Sequence, residues 1–192
     1  MVALEREVFA PSTLRDGRIV IIRPLDDLDR RALLAFGRAL PQRDLLYLQD
    51  DLSNPEIITR LINARYAENW RQLVASAGDQ IIGYTALRRL PGWSRHVADI
   101  NLVVSAGWRR YGLGTALAQA IVEAARDFQL EKLVVELFEA QRAAQAIFER
   151  LGFQIEGRFR SHAIDRQGQR HTLIVMGYSV WPSVSPIAGS PT

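Results

Sequence analysis

The sequence predicts an α/β fold in one domain, with a mixed central sheet of about six to seven strands and about four flanking helices. Short β-branched runs alternate with stretches of helical spacing, and glycines and prolines separate them. The resulting order, β α α β β β α β α β β, is neither strictly alternating nor segregated into strands and helices. A mixed sheet with helices on both faces fits that order.

Length and composition are those of an ordinary globular protein. The 192 residues suit one domain, and 48% hydrophobic with 23% charged residues argue against disorder. The chain has no cysteine, which excludes disulfides and thiolate zinc sites. His96, His162 and His171 are too scattered to suggest a metal centre, so we expect no metal.

Charge and hydropathy narrow the range of partners. The net charge is +3, charges of both signs are interspersed, and no long basic stripe marks a nucleic-acid surface. No apolar stretch reaches the roughly 18 residues of a transmembrane helix. Glu5 and Glu7 interrupt the N-terminal stretch where a secretory signal would be apolar. We expect a cytoplasmic protein that binds neither nucleic acid nor membrane, and we leave a homodimer open.

In the first half of the chain, turn and cap residues mark a hairpin, two helices and two strands. The hairpin turns at Asp16-Gly17 and leads into a β-branched run that Pro24 ends. Leucines at helical spacing predict the first helix, and Pro55 suits the first turn of the second. The helices are expected at residues 26–40 and 54–70, and the strands at residues 71–77 and 80–90.

The second half predicts four strands and two helices. From Leu113 to Phe128, apolar side chains recur every three or four residues, which indicates an amphipathic helix. Gly152 suits a left-handed cap after the last helix, and a turn is expected at residues 166–168. The strands are expected at residues 97–104, 132–138, 153–160 and 172–180, and the helices at residues 113–128 and 142–151.

The stretch GWRRYGLG, residues 107–114, follows the apolar run INLVV and opens a helix. The first N–H groups of a helix have no partner within it, and the helix dipole is positive at that end, so such a turn suits a phosphate. Gly112 and Gly114 would let phosphate oxygens approach the backbone. Arg109 and Arg110 add charge and donors beside them, so the stretch predicts an anion site.

Three known phosphate-binding turns compete for this pattern. A P-loop needs Gly-Lys-Ser/Thr, but no lysine lies here, and a dinucleotide fingerprint needs a third glycine where Leu117 stands. The third pattern fits, because residues 109–114 match Arg/Gln-x-x-Gly-x-Gly/Ala, the pyrophosphate turn of the GCN5-related N-acetyltransferases (GNAT). Three flanking stretches also resemble that family: INLVVSAGW, AAQAIFERLGFQIEGRFR and the opening LRDGRIVIIRPLDDLDRRAL.

By this resemblance the chain is identified as a member of that family, with one GNAT domain expected at residues 13–180. Residues 1–12 would be an N-terminal extension and residues 181–192 a flexible tail. The resemblance implies acetyl-CoA as acyl donor, with its pantetheine arm along the strand before the turn and its pyrophosphate on the turn. The cofactor-binding residues implied are Leu102, Val103, Val104, Arg109, Arg110, Tyr111, Gly112, Leu113, Gly114, Thr115, Gln141, Ala144 and Phe148.

The resemblance also implies the reaction. A primary amine attacks the thioester directly, through a tetrahedral intermediate, and coenzyme A leaves as a thiolate. A base has to deprotonate the ammonium form of the amine. Asp99, on the strand before the turn, is our leading candidate for this base, and Glu136 on the next strand is the second.

Two residues depart from the usual pattern of the family. Gln141 stands where the family often has an asparagine, and Phe148 where it often has a tyrosine that protonates the departing thiolate. Tyr111 or Tyr84 could supply that proton, or the thiolate could leave unaided, since the ordinary pKa of a thiol is about 8.5. The alternative function is a non-catalytic acyl-CoA-binding regulatory domain.

We expect the acceptor to be an amine of a small molecule or of a protein. Its charge stays open, because two charge patterns in the sequence favour opposite acceptors. An acidic segment, RDLLYLQDDLSNPE, would suit a cationic amine, and Tyr47 or Trp93 could stack on it. A basic cluster around the last two strands would instead suit an anionic acceptor. The acids are Asp44, Asp50, Asp51 and Glu56, against Arg43, and the basic cluster is Arg158, Arg160, Arg166, Arg170 and His171.

Overall fold

A computed structural model describes residues 11–165 and 167–181 of the chain. Within these ranges, eight strands form one sheet and five α-helices connect them. The strands are β1 (Ser12–Thr13), β2 (Ile19–Pro24), β3 (Trp70–Ala77), β4 (Gln80–Arg89), β5 (Val97–Val104), β6 (Lys132–Phe138), β7 (Gln154–Ile164) and β8 (Arg170–Ser179). The helices are α1 (Arg30–Ala39), α2 (Gln42–Leu45), α3 (Pro55–Asn63), α4 (Leu113–Asp127) and α5 (Arg142–Arg150).

The sheet is mixed. Its strand order is β1-β2-β3-β4-β5-β6-β8-β7, and the neighbours are antiparallel except for β5 and β6, which are parallel. A parallel pair needs a crossover connection, and α4 forms it. The parallel pair therefore lies inside the sheet, with antiparallel strands on both sides.

Alternating side chains on the central strands build a core on each face of the sheet. α4 and α5 cover one face, where Leu117, Ile121 and Phe148 are buried. α1 and α3 cover the other face, where Leu33 and Leu61 are buried. β5 thus contributes side chains to both cores.

The predicted mixed α/β fold is confirmed, with one strand more than the upper number expected. The additional elements are short, because β1 has two residues and α2 is a single turn of four residues. β5 and β6 have the predicted bounds. Gly152 follows α5 with φ at 94°, in the left-handed region predicted for it.

The second predicted helix was too long. α3 ends at Asn63, a 3-10 turn follows at Ala64–Tyr66, and Trp70 begins β3. Trp70 pairs with Arg88 of β4, so contact with a neighbouring strand overrides the local helical spacing. The last two strands are longer than predicted, because they continue as a hairpin that pairs as far as Ile164 and Arg170.

Some predictions concern residues outside the described ranges, which are residues 1–10, Arg166 of the predicted turn and residues 182–192. The predicted domain limits and terminal segments therefore stay predictions. In the part of the chain that the structure describes, no helix has the length and apolar character needed to cross a membrane.

Candidate functional site

The parallel strands β5 and β6 share a ladder only where they begin. Residues 97–99 pair with residues 132–134, and the pairing stops at Asp99. On their other edges, β5 pairs with β4 as far as Val104 and β6 pairs with β8 as far as Phe138. The two strands therefore diverge after Asp99, and their facing edges present backbone N–H and C=O groups to another extended chain. This opening is named the β5–β6 fork.

Asp99 occupies the closed end of the fork, at its last paired position. Its carboxylate oxygen Oδ1 is buried and has no hydrogen-bond partner among the described residues. Burial raises the pKa of Asp99 to about 6, the charge of Glu136 adds to the rise, and the opposite charge of Arg88 reduces it. Such a carboxyl group is ionised at neutral pH and is still basic enough to accept a proton.

Glu136 and Arg88 share the face of the sheet on which Asp99 lies. Glu136 is two residues beyond Val134, the β6 partner of Asp99, and its side chain is exposed. Arg88 is directly opposite Asp99 on β4, and its guanidinium carbon lies 5.3 Å from the centroid of the Trp70 ring. The structure thus brings both candidate bases to one face, beside an arginine that partly balances their charge.

A small pocket borders the closed end of the fork on the α1 and α3 side. Tyr84, one of the two alternative acids, lies in it with 4% of its surface exposed, and its hydroxyl donates to Gln72 Oε1 at 2.8 Å. Burial raises the pKa of Tyr84 far above its ordinary value. The pocket is lined by Leu48, Gln49, Asp50, Leu52, Trp70, Tyr84, Ala86 and Asn101.

The predicted cofactor residues of β5 and of the turn form one continuous stretch. Leu102, Val103 and Val104 lie where β5 has separated from β6. The chain then makes a 3-10 turn at Ala106–Trp108 and reaches the glycine turn, which ends in α4. An extended ligand along the fork would therefore meet the start of α4 at its outer end.

α4 begins at the glycine turn, as predicted. Gly112 is its N-cap with φ at 98°, a conformation that glycine adopts without strain. The first helical hydrogen bond ends on the Gly112 carbonyl, so the N–H groups of residues 113–115 precede the internal ladder of the helix. Gly114 also allows close packing of α4 on α5, because a Cβ there would lie 3.0 Å from Ile147 Cδ1 and that side chain would have to shift.

The two arginines of the turn have different environments. Arg109 Nε donates to the Val104 carbonyl at 3.0 Å, and Arg109 Nη2 pairs with the Asp44 carboxylate of α2. Asp44 is buried, and Arg43 lies farther from its carboxylate, at 4.0 Å. Arg110 is exposed and has φ at 69°. Arg109 is therefore engaged within the protein, whereas Arg110 lies at the surface of the turn.

Three predicted cofactor residues belong to α5 and its start. Gln141 precedes the helix, and its Oε1 accepts the Phe138 N–H at 2.7 Å, which holds the end of β6 beside the open end of the fork. Ala144 is partly buried against the α4-side core. Phe148 is 1% exposed and packs edge-on against Phe153, with ring centroids 5.0 Å apart. Phe148 therefore has a core position in this structure.

The predicted acidic segment is engaged in local contacts. Two of its acids form ion pairs with arginines, and a third accepts hydrogen bonds from a serine. Glu56 is exposed in the first turn of α3. The segment thus carries less uncompensated negative charge than its sequence indicates. The contacts are Asp44 with Arg109, Asp50 with Arg60, and Asp51 with Ser53.

The predicted basic cluster also has partners. Arg158 pairs with Glu139, and His171 Nε2 lies 2.7 Å from Asp165 Oδ2. The hydrogen bond with His171 holds the pKa of Asp165 below its ordinary value. Arg160 and Arg170 are exposed, and Arg166 lies outside the described residues. Among the described residues, neither charge pattern forms a single uncompensated patch.

The two aromatic residues considered for the acceptor differ in position. Tyr47 contacts Phe138 edge-on with ring centroids 5.2 Å apart, and Phe138 in turn stacks on His171. This row of rings joins the turn after α2 to the β7–β8 hairpin at the open end of the fork. Trp93 is 93% exposed in the loop before β5, at the opposite end of that strand.

Sequence reasoning missed the partners of the charged groups. Asp44 and Arg109 are 65 residues apart, and no spacing rule connects them. Arg88 faces Asp99 because β4 and β5 pair in one register. The turn signal at Pro91-Gly92 could have indicated that Arg88 faces Asp99, because residues at similar distances from a hairpin turn face each other.

The chain matches a known family over the part that contains the fork, the turn and both candidate bases. Residues 35–153 match the model of the acetyltransferase (GNAT) family. The chain therefore belongs to the GNAT family of acetyltransferases, whose acyl donor is acetyl-CoA and whose chemistry is N-acetyl transfer. No curated protein matches the chain.

Solved structures share this fold at low sequence identity. A GNAT-family acetyltransferase from Streptococcus pneumoniae is 22% identical, with a TM-score of 0.74 over 83% of this chain and 99% of its own. A protein from Salmonella typhimurium, solved with its cofactor acetyl-CoA, is 18% identical, with a TM-score of 0.75 over 88% and 99%. A ribosomal-protein-alanine N-acetyltransferase from Brucella melitensis is 22% identical, with a TM-score of 0.73 over 83% and 99%.

The buried carboxyl group of Asp99 predicts a pH dependence of stability. Its pKa rises from 3.8 to about 6 on folding, so ionised Asp99 destabilises the folded state above pH 6, and protonated Asp99 does not. Asp99→Asn should therefore melt at a higher temperature than the wild type at pH 8. The difference should shrink as the pH falls from 6 to 4.

The control is Asp79→Asn, which changes an exposed aspartate in the β3–β4 turn and should leave the melting temperature unchanged at each pH. Thermal melts followed by circular dichroism measure both variants. A stability difference for Asp99→Asn that does not vary between pH 4 and pH 8 would contradict the raised pKa.

Proposed function

We propose that the protein transfers the acetyl group of acetyl-CoA to a primary amine by direct attack on the thioester, through a tetrahedral intermediate. The observation that carries the proposal is the β5–β6 fork, with the carboxyl group of Asp99 at its closed end and the start of α4 at its outer end. The base, the thioester of bound acetyl-CoA and the phosphate-binding turn would then follow one another along the fork.

The donor would be held mainly by backbone groups. The open edge of β5, at Leu102 to Val104, offers N–H and C=O groups at the spacing that the amides of pantetheine can match, although the Val104 carbonyl already accepts a hydrogen bond from Arg109 Nε. At the outer end, the N–H groups of residues 113–115 and the dipole of α4 favour the negatively charged pyrophosphate. The side chain of Arg110 is exposed beside them and adds positive charge.

Asp99 is the proposed general base. Its raised pKa brings it closer to the pKa of an amine, which makes proton transfer less unfavourable than to an ordinary aspartate. Its Oδ1, without a partner among the described residues, can accept the amine proton directly or through a water molecule. Glu136 is exposed on the same face and is the second candidate.

No tyrosine stands at position 148 to protonate the thiolate of coenzyme A. Phe148 is buried and carries no acidic proton, and the hydroxyl of Tyr84 already donates to Gln72. Release of the thiolate to solvent is feasible because the ordinary pKa of a thiol is about 8.5. Tyr111, which is exposed in the glycine turn, stays the alternative acid, and the proposed mechanism does not require it.

The acceptor is proposed as an amine of a small molecule or of a protein. The carboxylates of Asp99 and Glu136 near the closed end of the fork favour the approach of a cationic ammonium group, whereas the nearby Asp50 is already paired with Arg60. The cytoplasmic location and the homodimer stay predictions.

Replacement of the base should abolish turnover without preventing donor binding. Asp99→Asn should lower kcat by about 100-fold or more, as expected when a general base is removed. Thiol release from acetyl-CoA, measured with a panel of amines, gives the rate. For the wild type, kcat/KM should rise with pH through about 6, because Asp99 acts as a base only when ionised.

Asp79→Asn is the matched control and should keep full activity. Glu136→Gln, the variant of the second candidate base, should lower kcat less than Asp99→Asn does. Full activity of Asp99→Asn on an amine that the wild type acetylates would exclude Asp99 as the base. Saturable acetyl-CoA binding without turnover on any amine would favour the non-catalytic regulatory domain.

A negative side chain in the glycine turn should weaken donor binding. Gly112→Glu places a carboxylate at the start of α4, where the pyrophosphate is proposed to lie, so like charges repel there. We expect the dissociation constant of acetyl-CoA, measured by isothermal titration calorimetry, to rise by about 10-fold or more.

Gly92→Glu is the control for backbone strain. Gly92 also has positive φ, at 64°, and open space around it, but it lies before β5, at the other end of that strand from the turn. The Gly92→Glu variant should therefore bind acetyl-CoA as the wild type does. Equal weakening by both variants, or by neither, would mean that the pyrophosphate lies elsewhere.

A further inference from the structure

The N-terminal hairpin, residues 12–20, is docked on the glycine turn. The Arg15 N–H donates to the Tyr111 carbonyl at 3.1 Å. Leu14, the preceding residue, is 6% exposed and belongs to the α4-side core. The Arg18 guanidinium lies 3.9 Å from the Trp108 ring centroid and donates to a backbone carbonyl of the same turn. The hairpin is thus attached to the turn on both sides of Arg15.

This attachment brings the side chain of Arg15 over Gly112. A Cβ built on Gly112 would lie 3.9 Å from both Cγ and Nε of Arg15. Nε is bonded to the guanidinium carbon, so the charged end of the side chain lies beside the first residues of α4. Arg15 is exposed, and no carboxylate of residues 11–165 and 167–181 forms an ion pair with it.

The other cations near the turn are less available. Arg109 is paired with buried Asp44, and its release would leave that carboxylate only the longer contact with Arg43, at 4.0 Å. Arg18 is paired with Asp16 and lies over the rings of Trp108 and Tyr111. Arg110 and Arg15 remain at the surface of the turn. A pyrophosphate carries two negative charges, and two separate guanidinium groups would balance them.

We propose that Arg15 binds the pyrophosphate of the acetyl-CoA donor, together with Arg110 and the first N–H groups of α4. This inference rests on the donor site proposed above. It adds a binding residue that lies outside the matched family segment of residues 35–153. The N-terminal hairpin is then part of the donor site and not only an edge of the sheet.

The test compares coenzyme A, 3′-dephospho-coenzyme A and pantetheine as ligands of the wild type and of Arg15→Gln, by isothermal titration calorimetry. Arg15→Gln should bind coenzyme A about 10-fold more weakly, the effect expected for one lost hydrogen bond to a charged group. The same loss is expected with 3′-dephospho-coenzyme A, which retains the pyrophosphate. No loss is expected with pantetheine, which has no phosphate.

Two further variants serve as controls. Arg31→Gln removes an exposed arginine from α1, on the face of the sheet opposite α4, and should bind coenzyme A as the wild type does. Arg15→Lys keeps the positive charge and should recover part of the affinity. Melting temperatures of all variants should equal that of the wild type, because the Arg15 side chain is exposed and its N–H is retained.

Each other outcome overturns the inference in a different way. Equal binding of coenzyme A by Arg15→Gln and the wild type would exclude a contact with Arg15. A loss seen only with intact coenzyme A would assign Arg15 to the 3′-phosphate, and an equal loss with pantetheine would indicate a structural effect. If the wild type bound none of the three ligands, the proposed donor site itself would be wrong.

Discussion

The early end of the β5–β6 ladder is the constraint on which the site depends. Two parallel strands that begin side by side would ordinarily continue to pair, because backbone N–H and C=O groups need partners. Here β5 is held by β4 as far as Val104 and β6 by β8 as far as Phe138, so neither strand can turn toward the other. α4 and α5 pack on one face and α1 and α3 on the other, and the opening remains between two fixed edges.

The same constraint explains the unusual state of Asp99. At the closed end of the fork its carboxyl group is shielded from water, and Oδ1 has no partner among the described residues. Burial of a carboxylate destabilises a folded protein unless hydrogen bonds and opposite charges compensate it fully, and the pKa of about 6 shows that Gln49 and Arg88 compensate Asp99 only in part. A side chain that lowers stability is expected where function limits the choice of residue, which agrees with the role proposed for Asp99.

The sequence was sufficient for the features that depend on local patterns. The alternation of Ile100, Leu102 and Val104 indicated β5, and the glycines of the turn indicated both the start of α4 and an anion site. Local patterns could not predict where Trp70 leaves the helical segment, because pairing with β4 decides it. They also could not predict the pairing of Arg109 with Asp44 or the contact of Arg15 with the turn, because both join segments far apart in the chain.

Hydrogen exchange with and without acetyl-CoA tests most directly whether the fork and the start of α4 form the donor site. We expect acetyl-CoA to slow amide exchange on the open edge of β5, at residues 102–104, and in the turn, at residues 112–115. Exchange in the loop before β5, around Gly92, should not change. Protection elsewhere in the chain, with no change in those two stretches, would contradict the account.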